Sequence, residues 1–213
     1  MRLVCISDTH GLHERVSIPD GDALIHAGDF TERGEPHEVA AFLRWLASQP
    51  HRDKVLIAGN HEFYCEEYPE EFAKQVAFYP SIHYLCDSGV TLNGVKFWGS
   101  PFTPRFYDWA FNCERGADIQ SHWNSIAPDT QVLVTHGPPH GVGDTNFQGS
   151  HEGCENLRGT VAMLPHLRLH VCGHIHFGYG RYMIDDQQLV NASVLNERYE
   201  LANQPVVIEI TTH

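Results

Sequence analysis

Five short apolar runs in this chain are each followed at once by aspartate, asparagine or histidine. "LVCIS" leads into Asp8, Thr9 and His10, "ALIHAG" into Asp29, "KVLIAG" into Asn60 and His61, "QVLVT" into His136, and "RLHVCG" into His174 and His176. The runs Leu3–Ser7, Ala23–His26, Lys54–Ile57, Gln131–Val134 and Leu167–Cys172 are rich in Val, Leu and Ile, and they read as buried strands. In open α/β sheets, ligands bind beyond the carboxyl ends of the strands. Singly, each polar residue has an ordinary use: Asp29 as a helix cap, Asn60 as a turn former, His136 as a loop histidine. Five such coincidences at one end of one sheet point to a site.

The rest of the pattern fits one α/β domain over residues 1–213. In "EPHEVAAFLRWLASQ", Val39, Phe42, Leu43 and Leu46 recur at helical spacing and Pro36 suits a first turn. "PEEFAKQVAFY" and "CENLRGTVAML" are weaker helical patterns, the second interrupted by Gly159. Asn93-Gly94 between alternating apolar runs predicts a hairpin. A second hairpin is expected to join Gly180–Ile184 to Leu189–Ala192 through "DDQQ", with "PVVIEI" as a last strand. The longest apolar runs, about five residues, fall far short of the roughly 20 that span a bilayer. The N-terminal "MRLVCISDTH" lacks the pattern of a secretory signal, so the expected setting is cytoplasmic and away from membranes. Six cysteines without a C-x-x-C pair then predict free thiols.

Net charge is −13, from 14 Lys and Arg against 27 Asp and Glu, which excludes docking on a nucleic-acid polymer. A small anionic substrate remains compatible if something local and positive receives it. The strand-end residues offer that. Asp8, His10, Asp29, Asn60, His136, His174 and His176 are oxygen and nitrogen donors with no thiolate, a set suited to two divalent metal ions such as Mn, Fe or Zn. A shared carboxylate can bridge two such ions at about 3.5–4 Å, the spacing that clamps both attacking and leaving oxygens at phosphorus. Two divalent ions bring four positive charges and two aspartates remove two, so the centre stays positive.

D-x-H (Asp8, His10), G-D (Gly28, Asp29), G-N-H-E (Gly59 to Glu62), His136 in "THGPP" and G-H-x-H (Gly173 to His176) together resemble the calcineurin-like metallophosphoesterase superfamily. "AGNHEFY", "GSPFTP", "DWAFN" and "HIHFGYG" are similar to its metallophosphoesterase-domain-containing branch of small phosphodiesterases. The resemblance implies a four-layer αββα sandwich of two mixed sheets flanked by helices. It implies that Asp8, His10 and His176 hold one metal, that Asp29 bridges, and that Asn60, His136 and His174 hold the other. His61 would be no ligand but the catalytic acid over the leaving group. Some relatives in this branch carry Gly where this chain has His174, with a weakened second site; here the set is complete.

The expected function is therefore a dinuclear phosphodiesterase on a small phosphoester substrate, with cyclic nucleotides among the candidates, acting by in-line attack of a metal-bridging hydroxide. Two alternatives stand beside it. A phosphomonoesterase or protein phosphatase would carry a phosphate-clamping Arg just before G-N-H-E, where this chain has Ala58. A nucleotide-binding scaffold protein would have little use for an intact ligand set and His61. Glu32 is either a partner that orients His61 or a surface glutamate, and Arg33 either touches phosphate or is solvated. His13 and His140, close in sequence to the ligands, are candidates to line the pocket. Phe102, Trp109 and Phe111 read as core rather than as a platform for a base. Oligomeric state is left open.

Overall fold

In the computed structural model, which describes residues 1–211, the first strand β1 (Arg2–Ile6) is covered on both faces. Side chains alternate across a strand. Leu3 and Cys5 accordingly enter one apolar cluster and Val4 and Ile6 another, and all four are fully buried. The same division runs through β2 (Ala23–His26) and β3 (Asp53–Leu56), where Ile25 and Val55 face one way and Leu24 and Leu56 the other.

The remaining strands are β4 (Ile82–Tyr84), β5 (Ser88–Leu92), β6 (Val95–Ser100), β7 (Thr103–Pro104), β8 (Asn112–Cys113), β9 (Val132–Thr135), β10 (Leu169–Cys172), β11 (Gly180–Ile184), β12 (Gln187–Asn191) and β13 (Val206–Glu209). One sheet has the order β13-β1-β2-β3-β4 and the other β11-β12-β10-β9-β6-β5, while β7 and β8 form a separate small pair. Both large sheets are parallel at their centres and antiparallel at one or both edges. Between them lies an apolar layer in which Leu3, Ile25 and Val55 meet Phe97, Val132, Val171 and Val190.

Helices cover the two outer faces. α1 (Pro36–Ser48) and α3 (Pro69–Val76) lay Phe42, Leu43, Leu46 and Phe72 on the first sheet, with the short α2 (Phe63–Glu67) beside them. α4 (Ala117–Trp123) and α5 (Glu155–Ala162) place Ile119, Trp123, Leu157 and Val161 against Leu133 of the second. The layers are those of the expected αββα sandwich. Pro36 opens α1, and Glu35 and Glu38 close a reciprocal capping box at its start.

The two sheets are spliced where β1 ends. Ser7 bridges Ser193, its N–H donates to Ala192 O at 2.9 Å, and Val194 N–H donates to Ser7 O at 3.0 Å. This splice sets the carboxyl ends of β1, β2 and β3 beside those of β9, β10 and β12. Asn93-Gly94 turns β5 into β6, both residues at positive φ (49° and 78°) as such a turn requires. The second hairpin is tighter than expected: Gln187 and Gln188 already pair with Ile184 and Met183, leaving Asp185-Asp186 alone as the turn. All six cysteines are free, and no helix among the described residues is long and apolar enough to cross a membrane.

Candidate metal centre

At the splice the chain turns sharply out of each strand. Asp8 (φ 54°), His10 (39°), Asp29 (55°) and His174 (66°) all adopt the left-handed conformation. Side chains rarely tolerate it, Asp, Asn and His best among them, and such residues cluster where function repays the strain. The turns are interlocked: Asp8 N–H donates to Gly28 O and His10 N–H to Asp29 O, both at 3.0 Å, while Gly173 N–H donates to His136 O at 2.8 Å. Space decides the neighbouring glycine. A Cβ on Gly173 would stand 2.1 Å from both Asp8 Oδ2 and Ser7 Oγ, so only glycine lets β10 end against Asp8.

The donors converge. Asp29 Oδ2 lies 3.2 Å from His136 Nε2, 3.7 Å from His10 Nε2 and 3.9 Å from His61 Nε2. His176 Nε2 is 3.5 Å from Asp8 Oδ1, and Asn60 Oδ1 is 2.9 Å from His136 Nε2. Three groups have ligand atoms all within 4.8 Å of one another: Asp8, His10 and His176; His10, Asp29 and His61; Asp29, His136 and His174. Asp29 and His10 each belong to two of them, and Asp29 is the carboxylate common to the last two.

Main-chain carbonyls orient three of the imidazoles. A carbonyl can only accept, so the ring nitrogen facing it carries the proton and the other nitrogen is left for the centre. His136 Nδ1 donates to Ala27 O at 2.8 Å, His176 Nδ1 to Asn196 O at 2.9 Å, and His61 Nδ1 to Glu32 O at 2.7 Å. His10 differs: both its ring nitrogens are buried with no hydrogen-bond partner among the described residues. Such a group is costly unless something else satisfies it. A divalent cation would satisfy the ring nitrogen that carries the lone pair, and the nitrogen and oxygen donors around it fit one.

Electrostatics point the same way. Burial opposes ionisation of Asp8, but the hydrogen bond and charge of His176 prevail and hold its carboxyl below the usual range. Burial likewise opposes protonation of His136 and His176, yet Asp29 and Asp8 respectively raise them to about 9. Two buried carboxylates demand positive charge, and in the chain alone these imidazoles supply it with protons. His10 goes the other way, pushed down to about 4 because burial outweighs Asp29 and Asp8.

Glu62, named in the sequence only as the last letter of G-N-H-E, is a hub of the site. Fully buried, it accepts from Asp29 N–H (2.8 Å), Thr31 N–H (3.0 Å), Thr31 Oγ1 (2.7 Å) and Gly59 N–H (2.7 Å). It ties the turn bearing Asp29 to the turn bearing Asn60. Burial and the nearby Asp29 raise it to about 7 against those bonds. Ser193 Oγ similarly donates to Asp8 Oδ2 at 2.6 Å.

The cluster opens into a pocket of about 380 Å³ lined by His10, Asp29, Asn60, His61, His174 and His176, with Arg105, Arg115 and aromatic residues further out. Asp8 and His136 lie behind them, fully buried. Trp109 is not core: it lines the pocket and stacks on His61. Phe111 is core as expected, and Phe102 packs against the core and on His122. Glu32 reaches His61 through its carbonyl, while its carboxylate is exposed beside an exposed Arg33. Neither His13 nor His140 lines the pocket; the first packs on Phe42 and Trp45, the second near Asp144 and His151. Tyr199, which carries no motif, stands at the pocket mouth with its ring edge-on to His10 and His176.

Fold and donor cluster together define a class: α/β hydrolases that hold divalent cations where the carboxyl ends of two sheets meet. The calcineurin-like phosphoesterase family matches residues 1–178, and the chain belongs to it as a metal-dependent phosphoesterase. Metallophosphoesterase domain-containing protein 1 of Homo sapiens is 42% identical over 232 residues, taking in 99% of this chain and 71% of that one. A UPF0046 protein of Caenorhabditis elegans is 36% identical over 228 residues, covering 99% of this chain and 81% of its own. In a crystal structure from Thermus thermophilus the fold recurs at 16% identity with a TM-score of 0.62, over 89% of this chain and 88% of that one.

Proposed function

We propose that the chain, acting as a single domain, is a dinuclear phosphodiesterase for small diesters, cyclic nucleotides among them. Asp8, His10 and His176 would hold one cation, Asn60, His136 and His174 the other, and Asp29 would be shared. Bound there, Mn, Fe or Zn would supply Lewis acidity for the phosphoryl oxygens and activate water. The protein's part is to fix the donors, exclude bulk water and place a proton. His61 is suited to the last task. Its Nδ1–H stays on Glu32 O, so in the charged ring Nε2 carries a second proton toward the pocket. Delivered to the leaving oxygen, such a proton is worth roughly 10²–10⁴ in rate.

The observation that favours a diester is that, among the described residues, no arginine or lysine at the pocket is without an acidic partner. A monoester dianion needs more neutralisation than a diester monoanion. Ala58 is fully buried where a clamping Arg would stand. Of the two arginines at the pocket, Arg105 is paired with Glu114, and Arg115 with Glu155 and the carbonyls of Glu152 and Gly153. Rates of the Mn-loaded chain on bis(4-nitrophenyl) phosphate and on 4-nitrophenyl phosphate test the reading. The diester should be the better substrate by kcat/KM. A clear preference for the monoester would overturn the assignment.

A further inference from the structure

A proton donor works along one direction, so the plane of the His61 ring has to be held as firmly as its position. Two contacts fix its position: its N–H donates to Asp29 Oδ1 at 2.9 Å and its Nδ1 to Glu32 O at 2.7 Å. Neither bond resists tilting of the ring about the Nδ1 contact, and the His10 ring, with centroids 4.4 Å apart and planes at 74°, meets it only edge to face. The carboxylate that could have gripped His61 more firmly, that of Glu32, is 69% exposed and lies 3.8 Å from Arg33 instead.

The face of the ring is taken by Trp109. The two ring centroids are 4.4 Å apart and the planes differ by 23°, a stacked arrangement. The indole is itself held. Ala110 N–H donates to Asn60 O at 3.1 Å, Phe111 N–H donates to Glu66 Oε1 at 2.8 Å, and the Phe63 ring lies 5.9 Å from the indole. The loop that carries Trp109 is thus latched to the turn that presents Asn60 and His61 and to α2 behind it.

We propose that Trp109 is a positioning residue for His61, its indole holding the imidazole plane so that Nε2 meets the leaving oxygen. This rests on the reading of His61 as the proton donor. The competing use of a flat ring in a pocket is as a platform for the substrate, and the two differ in kinetics. Loss of a platform raises KM; loss of alignment lowers kcat, most where the leaving group most needs its proton.

The experiment compares Trp109→Ala, Trp109→Phe and His61→Ala in the Mn-loaded full chain, on aryl phosphodiesters with nitrophenyl and with phenyl leaving groups. Trp109→Ala should lower kcat on the phenyl ester roughly 10- to 100-fold, with a smaller loss on the nitrophenyl ester, KM within about twofold and metal content unchanged. Trp109→Phe should recover most of the rate. A raised KM at unchanged kcat, or equal losses on both esters, overturns the proposal. If His61→Ala shows the leaving-group effect and Trp109→Ala does not, only this proposal falls; if His61→Ala lacks it, the reading beneath falls. A second readout needs no turnover. With diamagnetic Zn in place of Mn, the His61 ring protons should resonate upfield under the indole, move downfield in Trp109→Ala and stay near the native position in Trp109→Phe. An unmoved resonance in Trp109→Ala contradicts the stack.

Discussion

Asp29 carries the greatest burden of any single residue at the centre. Its carboxylate lies within 4 Å of His10, His61 and His136, its other oxygen accepts the His61 N–H, and its own N–H is held by Glu62. Replacing it with Asn keeps the shape and removes the charge shared between two candidate sites. Asp29→Asn should therefore lose both metals together and cost at least on the order of 100-fold in activity, as read by metal analysis and rates on one preparation. Two tightly bound metals and near-native rates in that variant would show that the shared role is wrong. At this scale the sequence displays the donors well, because each stands at the end of an apolar run. That it passes over Glu62 and reads Trp109 as core has a physical cause. A glutamate in a turn reads as surface, and a tryptophan reads as core, until the partners that bury or stack it are known. Nor can sequence tell that Glu32 acts through a carbonyl, since every residue has one.

Among the elements, β9 and β10 show what burial alone does to a histidine. His170 on β10 is 1% exposed, and its Nε2 shares a 2.7 Å hydrogen bond with Thr135 Oγ1 of β9. Burial pushes it from the usual 6.5 down to about 3. The unfolded chain thus takes up a proton near pH 6.5 that the folded chain refuses until about 3. Between those values acid favours unfolding, so the stability held by neutral His170 is complete above about 6.5 and lost as pH falls through that window. The melting temperature of the demetallated chain should fall over this range, and fall less steeply in His170→Gln. An equal slope in both would assign the acid sensitivity elsewhere. Elements with strong periodicity, such as α1, and with forcing turn chemistry, such as Asn93-Gly94, are readable from sequence. The three-residue β4, the two-residue β7 and β8, and the short α2 and α4 are not, since so few residues carry no period and tertiary packing decides them.

For the whole molecule, the sandwich explains how an acidic chain of net charge −13 can accept an anion. The splice at Ser7 and Ser193 brings the carboxyl ends of two parallel-centred sheets together, and the donors gather there. The sequence pattern reveals that a layered α/β domain is present. That two separate sheets share one site depends on pairing Ser7 near one end of the chain with Ser193 near the other, beyond any local signal. We propose that this junction holds two cations that together make the chain a phosphodiesterase. This is tested most directly by adding Mn in steps to the demetallated chain while following hydrolysis of bis(4-nitrophenyl) phosphate. No turnover is expected before metal is added, and the rate should reach a plateau at two equivalents per chain. Undiminished turnover in the demetallated chain, or a plateau at one equivalent, would contradict it.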